Sequence, residues 1–68
     1  MDLKDAQYIQ NIALSAIRAF HGLLPMLENY DEKTKEELRK GIGIVIGNID
    51  VRILKSVYEK YPELDDIA

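Results

Sequence analysis

Side chains that could carry out acid–base, nucleophilic or metal chemistry are few in this chain of 68 residues, and they do not cluster. The single histidine is His21, with Arg18 one helical turn before it and Pro25 four residues after it. A metal site on a helix needs a second ligand three or four residues away, and a histidine base needs a carboxylate to orient it. Neither neighbour supplies such a group, and the absence of cysteine excludes thiolate metal sites and disulfides.

The remaining polar residues also lack the spacing that chemistry requires. The two serines lie outside any nucleophile motif, and the glycines of the second half lack the Lys-Ser/Thr ending of a phosphate-binding loop. The carboxylate pairs Glu36–Glu37 and Asp65–Asp66 are adjacent in sequence, so they are typical of solvated charge. We therefore predict a protein that is not an enzyme and that holds no cofactor and no metal.

The formal net charge of −3 argues against a protein that binds duplex nucleic acid, because such proteins displace counterions with a basic surface. A local basic edge can still exist on an acidic protein. The alternative function is therefore a small, RNA-type nucleic-acid-binding regulator. Its candidate basic edge comprises Arg18, His21, Lys33, Lys35, Arg39 and Lys40.

The length of the chain predicts a single domain over 1–68. Ile, Leu and Val supply 20 residues, against one Phe and no Trp, so the core should be aliphatic. A domain this small buries only about 60% of the surface of its unfolded chain, and without disulfides or a metal it commonly gains stability by oligomerising. No segment has the length and apolarity of a transmembrane helix or a signal peptide, which predicts a cytoplasmic protein that does not bind membranes.

The first structural element is an amphipathic helix predicted over about 3–28, where apolar residues recur at steps of three and four. Asp2 and Asp5 favour its start, because negative charge there interacts well with the helix dipole. Near its end, Gly22 and Pro25 interrupt the pattern. The helix either kinks at this point, or it stops and a short helical turn restarts at the proline.

A second helix is predicted over about 34–61. Thr34 and Glu37 have the spacing of a capping box at its start, and Asp31 is equally able to cap it. Pro62 follows its end. The remaining residues, 62–68, form an acidic tail that we expect to be frayed.

The middle of the second helix, over 41–54, is open to three interpretations. It is a continuous helix, a helix broken at Gly47-Asn48 into a third helix, or a β-hairpin that turns at Gly47-Asn48. The strongly helical segments on both sides favour helix over hairpin, since an isolated two-stranded hairpin is marginally stable. The continuous helix is slightly favoured over the broken one.

Two long helices with a short connector predict an all-α antiparallel helical hairpin. If the second helix is continuous, it carries a second apolar stripe on roughly the opposite side from its main one. A lone hairpin would leave this stripe in water, where a contiguous apolar patch marks an interaction site, whereas a four-helix-bundle dimer would bury it. The predicted interface, with a second copy or with another partner, is this stripe, which consists of Ile44, Val51, Leu54 and Tyr58.

Two further features bear on this interface. A break at Gly47 would turn the last helix so that its stripe faces inward, which would complete a monomer. Conversely, Gly43 and Gly47 have the small-xxx-small spacing that lets helices approach closely.

The predicted function is accordingly a non-enzymatic helical interaction protein. We expect an oligomeric regulator or inhibitor, most simply a homodimer, that binds a protein partner. Besides the nucleic-acid-binding alternative, a third hypothesis is an oligomer that holds a small ligand between its subunits.

Overall fold

Helix α1 spans Leu3–His21 in the computed structural model, which describes residues 1–65 of the chain. The carboxylate of Asp2 caps the first turn by accepting a hydrogen bond of 2.8 Å from the amide of Asp5. Along the opposite face of the helix from its polar residues, Ala6 and Ala13 are buried. Small side chains at these positions allow the neighbouring helix to lie close.

The helix predicted over 3–28 is divided at its glycine and proline. The amide of Gly22 donates to the carbonyl of Arg18 at 3.0 Å and closes α1. A 3-10 helix over Leu24–Asn29 follows, with Pro25 in its first turn. Proline is tolerated there because an amide in the first turn has no partner within the helix. Of the two predicted outcomes, the helix therefore stops and restarts.

Helix α2 spans Glu32–Asn48 and begins at Glu32, earlier than the predicted start at 34. Asp31 occupies the N-cap position with an extended backbone. A hydrogen bond from the Thr34 hydroxyl lowers the pKa of the Asp31 carboxyl. Of the two predicted caps, Asp31 is therefore the one at the helix start, and the capping box of Thr34 and Glu37 is wrong because Thr34 lies inside the helix.

The chain stays helical through Gly47-Asn48. The backbone angles of Asn48 are φ −67° and ψ −39°, in the right-handed helical region. A π-helical segment over Ile49–Leu54 continues α2, and helix α3 follows at Lys55–Lys60. The β-hairpin and the break at Gly47-Asn48 are both wrong, and none of residues 1–65 forms a strand.

The π-helical segment changes which side chains of the second helical stretch face α1. Within it, the amide of Lys55 donates to the carbonyl of Asp50, five residues earlier, so the turn holds about one residue more than an α-turn. One extra residue rotates everything after it by roughly 100° relative to an uninterrupted α-helix. Leu54 and Val57 consequently lie in the core, where they are 3% and 1% exposed.

The two long helical stretches form the predicted antiparallel hairpin. Its open end is where the first and last described turns meet, because the hydroxyl of Tyr61 donates to the carbonyl of Met1 at 2.7 Å. The core between the stretches is aliphatic, as predicted from the composition. Its buried residues are Ala6, Ala13, Leu27, Ile42, Leu54 and Val57.

A short 3-10 helix over Pro62–Leu64 follows α3, so part of the predicted acidic tail is ordered against the hairpin. The last residues of that tail, 66–68, lie outside the described residues. No helix in the described part of the chain combines the length and apolarity needed to cross a membrane.

The resulting molecule is a rod of 46 × 21 × 15 Å. Its Cα radius of gyration is 14.6 Å, whereas a compact domain of this length would have about 11 Å. Two helices lying side by side have only one neighbour each, so a rod of this shape exposes both sides of the seam between them.

Candidate interaction surfaces

Many of the large apolar side chains that are exposed to solvent line two depressions between the helical stretches. Near the open end, α1 and the π-helical segment line a depression of ≈ 270 Å³. Nearer the connector, the end of α1, the first 3-10 helix and α2 line another of ≈ 430 Å³. We call this surface the apolar face; its exposed large side chains are Tyr8, Ile12, Leu23, Met26, Tyr30, Leu38, Val45 and Ile53.

The apolar face carries almost no charge. Among the described residues, Glu37 is the one charged side chain that lines either depression, and it belongs to the larger one. The walls of the smaller depression are aliphatic apart from the ring of Tyr8. A surface that is both apolar and uncharged has little affinity for water, so it is suited to contact with another apolar surface.

A separate groove of ≈ 540 Å³ has no lining residue in common with the apolar face, and we call it the second groove. Leu14 and Ile17 of α1 form one wall of this groove. The π-helical segment and α3 form the other wall. The floor and walls are apolar, but charged side chains stand along the rim, and the lining contributed by the second stretch and its tail is Asp50, Val51, Leu54, Lys55, Tyr58, Glu59 and Asp65.

Of the four residues in the predicted interface, two are exposed and two are at least half-buried. Ile44 and Val51 are exposed, at 60% and 61% of their surface. Leu54 is buried in the core and Tyr58 is half-buried. The expectation that a continuous second helix leaves all four side chains in water is therefore wrong for Leu54 and Tyr58, because the wide turn rotates them towards α1.

A small polar cluster that was not predicted from the sequence links α1 to α3 and to the last 3-10 helix at the open end of the hairpin. The side-chain amide of Gln10 donates to the hydroxyl of Tyr58 at 3.1 Å and to the carbonyl of Leu64 at 2.9 Å. These two bonds fix the last 3-10 turn against α1. They also place Asp65 at the rim of the second groove. In the sequence Gln10 is one of several amides on the polar side of α1, and nothing in its spacing marks it.

The predicted basic edge is interleaved with carboxylates. Lys35 contacts the carboxylate of Glu28 at 2.9 Å, and this hydrogen bond and charge lower the pKa of the Glu28 carboxyl. Arg39 lies 3.5 Å from Glu36. The exposed ends of the remaining cations of α2 share a surface with acidic side chains of the same helix: Glu32, Lys33, Glu36, Glu37 and Lys40.

Arg18 and His21 of the predicted edge lie on the last turn of α1. Both are exposed. The α2 cations of the predicted edge share their surface with acidic side chains.

The described residues contain no group of three or more His, Cys, Asp or Glu side chains that could hold a metal ion. The same part of the chain contains no buried side-chain nitrogen or oxygen without a hydrogen-bond partner. The arrangement thus offers two contrasting surfaces for contact with other molecules, one apolar and uncharged and the other apolar with a charged rim.

No known protein family matches the chain, and neither a curated protein nor a solved structure shows significant similarity to it.

Proposed function

We propose that this protein is a non-enzymatic interaction module that pairs with a second copy through its apolar face and then acts as a regulator or inhibitor by binding a protein partner. The observation that carries the proposal is the exposure of eight large apolar side chains on the apolar face, whereas only six apolar residues are buried within 1–65. Pairing two such faces gives a four-helix bundle, in which each helix gains a second neighbour.

The surface area of the single chain supports pairing. Its solvent-accessible area is 5179 Å², whereas a folded monomer of 7.8 kDa is expected to expose about 4,400 Å². The excess is close to the ~800 Å² per partner that a standard protein–protein interface buries. One isologous contact would therefore bring the exposed area per chain to the value typical of a complete domain.

The apolar face replaces the stripe predicted from sequence as the proposed interface. That stripe loses Leu54 to the core, and its remaining exposed members, Ile44 and Val51, stand outside the apolar face. Residues of both α1 and α2 contribute to the apolar face, which suits face-to-face packing of two hairpins.

Sedimentation equilibrium with two matched pairs of variants tests the proposal. Ile12→Glu and Val45→Glu place a charge on the apolar face, whereas Ile44→Glu and Val51→Glu place the same charge at exposed positions outside it. We expect the wild type and the second pair to have the mass of two chains at high micromolar concentration, and the first pair to have the mass of one. Far-UV circular dichroism confirms that each variant keeps its helices.

A wild-type mass of 7.8 kDa under these conditions would refute self-association. Dissociation by Ile44→Glu or Val51→Glu, with Ile12→Glu still dimeric, would instead return the interface to the stripe predicted from sequence. Both results are read directly from the same experiment.

A further inference from the structure

We propose that the second groove binds a basic amphipathic helix of the partner protein. This inference rests on the proposed function, because it names the chemistry of the partner that the interaction module would bind. It concerns a different surface from the proposed dimer contact. The apolar face and the second groove have no lining residue in common, so pairing of the apolar faces leaves the residues of the groove free to bind.

The shape of the groove favours a helix as its occupant. It lies along the seam between two antiparallel helical stretches, and helix-in-groove recognition uses such a channel to take the apolar side of an incoming amphipathic helix. Leu14, Ile17 and the largely exposed Val51 offer aliphatic contacts for side chains at helical spacing. Beneath them, Leu54 and Tyr58 are held in place by the core and by the hydrogen bond from Gln10.

The charges on the rim determine which helix would fit. Three carboxylates, those of Asp50, Glu59 and Asp65, line the groove together with a single ammonium, that of Lys55. None of the three carboxylates forms an ion pair within residues 1–65, so their charge is available to an incoming cation. The excess of negative charge around an apolar floor is complementary to a helix with Lys or Arg beside its apolar side.

The spacing of the acids sets a register for that helix. Asp50 and Glu59 are nine residues apart on one continuous helical stretch, which corresponds to at most roughly 13 Å at the α-helical rise. Cations about two turns apart on the partner helix would reach both carboxylates. The same rim disfavours nucleic acid and anionic lipid, because phosphate groups would meet carboxylates.

The π-helical segment gives this groove its form. It supplies Asp50, Val51 and Leu54 to the lining, and its wide turn sets the buried Leu54 against the exposed Val51. Turns of this kind inside α-helices are frequently found at functional sites, which agrees with a binding role for this side of the rod.

Titration with designed helical peptides tests the proposal. The probes are a fluorescein-labelled Leu/Lys peptide with its leucines on one helical side, a scrambled peptide of the same composition, and a Leu/Glu peptide with the same pattern. Anisotropy measures the dissociation constant with the full chain. We expect saturable binding of the patterned Leu/Lys peptide and weak or no binding of the other two probes.

Two charge-reversed variants locate the binding. Asp50→Lys combined with Glu59→Lys changes the rim, while Glu32→Lys combined with Glu36→Lys makes the same change in net charge on an exposed surface of α2. The rim variant should bind the Leu/Lys peptide about tenfold more weakly, since exposed ion pairs contribute modestly and two of them are lost. The α2 variant should retain most of the affinity. Circular dichroism verifies that both are folded.

Amide chemical shifts of the isotope-labelled protein complete the test. On adding the Leu/Lys peptide, shifts should change around Leu14, Ile17 and Val51 and not around Ile12 and Val45. The proposal is overturned if the two double variants weaken binding equally, if the Leu/Glu peptide binds as tightly, or if the shifts map to the apolar face.

Two different measurements distinguish failure of this inference from failure of the proposed self-association: peptide titration tests the groove, and sedimentation tests pairing. The rim variant leaves the apolar face untouched, so its mass in sedimentation reports only on pairing. The peptide titration can likewise be repeated on Val45→Glu, where loss of pairing should leave the affinity for the Leu/Lys peptide unchanged.

Discussion

At the scale of single residues, Gln10 is the side chain whose loss should matter most outside the aliphatic core. Gln10→Met keeps the length of the side chain but removes both donors, which leaves the Tyr58 hydroxyl and the Leu64 carbonyl without this partner. We expect a loss of about 1–3 kcal/mol in the free energy of unfolding, the cost of leaving a partly buried polar group unsatisfied. Urea unfolding monitored by circular dichroism measures it.

The control for this prediction is Gln7→Met on the exposed side of the same helix. It should change the free energy of unfolding by less than about 0.5 kcal/mol. Hydrogen exchange adds a second readout, because the amides of Leu64 and Asp65 should exchange faster in Gln10→Met while those of the α1 centre keep their protection. Equal effects of the two substitutions would show that the Gln10 hydrogen bonds do not hold the last turn.

The role of Gln10 could not be predicted from the sequence, unlike the burial of several apolar residues. The apolar residues at steps of three and four in α1 include Ala6 and Ala13, which are buried as predicted, and Ile12, which is exposed. Gln10 acquires its role only because α3 and the 3-10 helix after it bring Tyr58 and Leu64 within hydrogen-bond distance. Such a long-range contact leaves no local pattern.

At the scale of elements, the π-helical segment can be removed by deleting a single residue. Without Arg52, the spacing between half-buried Ile49 and buried Leu54 becomes four residues, so an ordinary α-turn can keep both facing α1. We expect the variant to keep its helical circular dichroism and to unfold within about 1 kcal/mol of the wild type, as exposed positions usually do.

Deletion of the exposed Ser56 is the matched control. It shortens the spacing of the two buried residues Leu54 and Val57 to two, and residues two apart on a helix do not share a side. One of them must leave the core, so the free energy of unfolding should fall by about 2–5 kcal/mol. If both deletions lower the free energy of unfolding equally, the π-helical segment does not determine which side of α3 packs against α1.

Three glycines of α2 face open space, and two of them give a further prediction at this scale. A Cβ placed at Gly43 or Gly47 meets nothing within 4 Å, so the close helix approach suggested by their spacing does not occur within the chain. Gly43→Ala and Gly47→Ala should each raise the free energy of unfolding by up to about 1 kcal/mol, because alanine is the better helix former. Thermal unfolding should show a gain of about 4–8 °C per kcal/mol.

Gly22→Ala provides the contrast, because a Cβ there would lie 3.3 Å from the carbonyl oxygen of Ala19. No gain is expected at this position. Should Gly43→Ala or Gly47→Ala weaken self-association in sedimentation, the glycines would belong to an interface between chains.

The sequence predicts the elements of this fold well and the wide turn poorly. Helix periodicity and the proline signals identify both long stretches and the interruption near Pro25. The clue to the π-helical segment is a single step of five, from Ile49 to Leu54, in a row of inward-facing residues that otherwise advance by three or four. Taken as an uninterrupted α-helix, the same residues form two stripes, which is why the predicted interface included side chains that are in fact packed inside.

At the scale of the whole molecule, a self-associating chain should unfold at a temperature that depends on its concentration. Pairing stabilises only the folded state, and a tenfold increase in concentration adds about 1.4 kcal/mol per dimer. Differential scanning calorimetry should therefore show the melting temperature of the wild type rising with concentration. For Val45→Glu the melting temperature should be independent of concentration, and a wild-type value that does not move would argue against the dimer.

The sequence predicts that large apolar side chains stay exposed on the single chain, but it does not predict which ones. Small size and the two apolar stripes of the second helical stretch indicate that one hairpin leaves apolar side chains in contact with water. Which side stays exposed depends on how far α1 and the second stretch are rotated about their axes. That rotation is set by the alanine contacts and the wide turn together.

The hydrogen bond between Tyr61 and Met1 has a mechanical consequence. This bond joins the two helical stretches of the hairpin at the same end of a 46 Å rod. A force that pulls Met1 and Tyr61 apart therefore acts across the seam between the stretches and not along it. Load would fall first on this bond, then on the Gln10 cluster, and then on one pair of core side chains after another towards the connector. The contacts would thus break one after another at low force. If the two stretches were pulled in opposite directions along the rod, the same contacts would bear the force together.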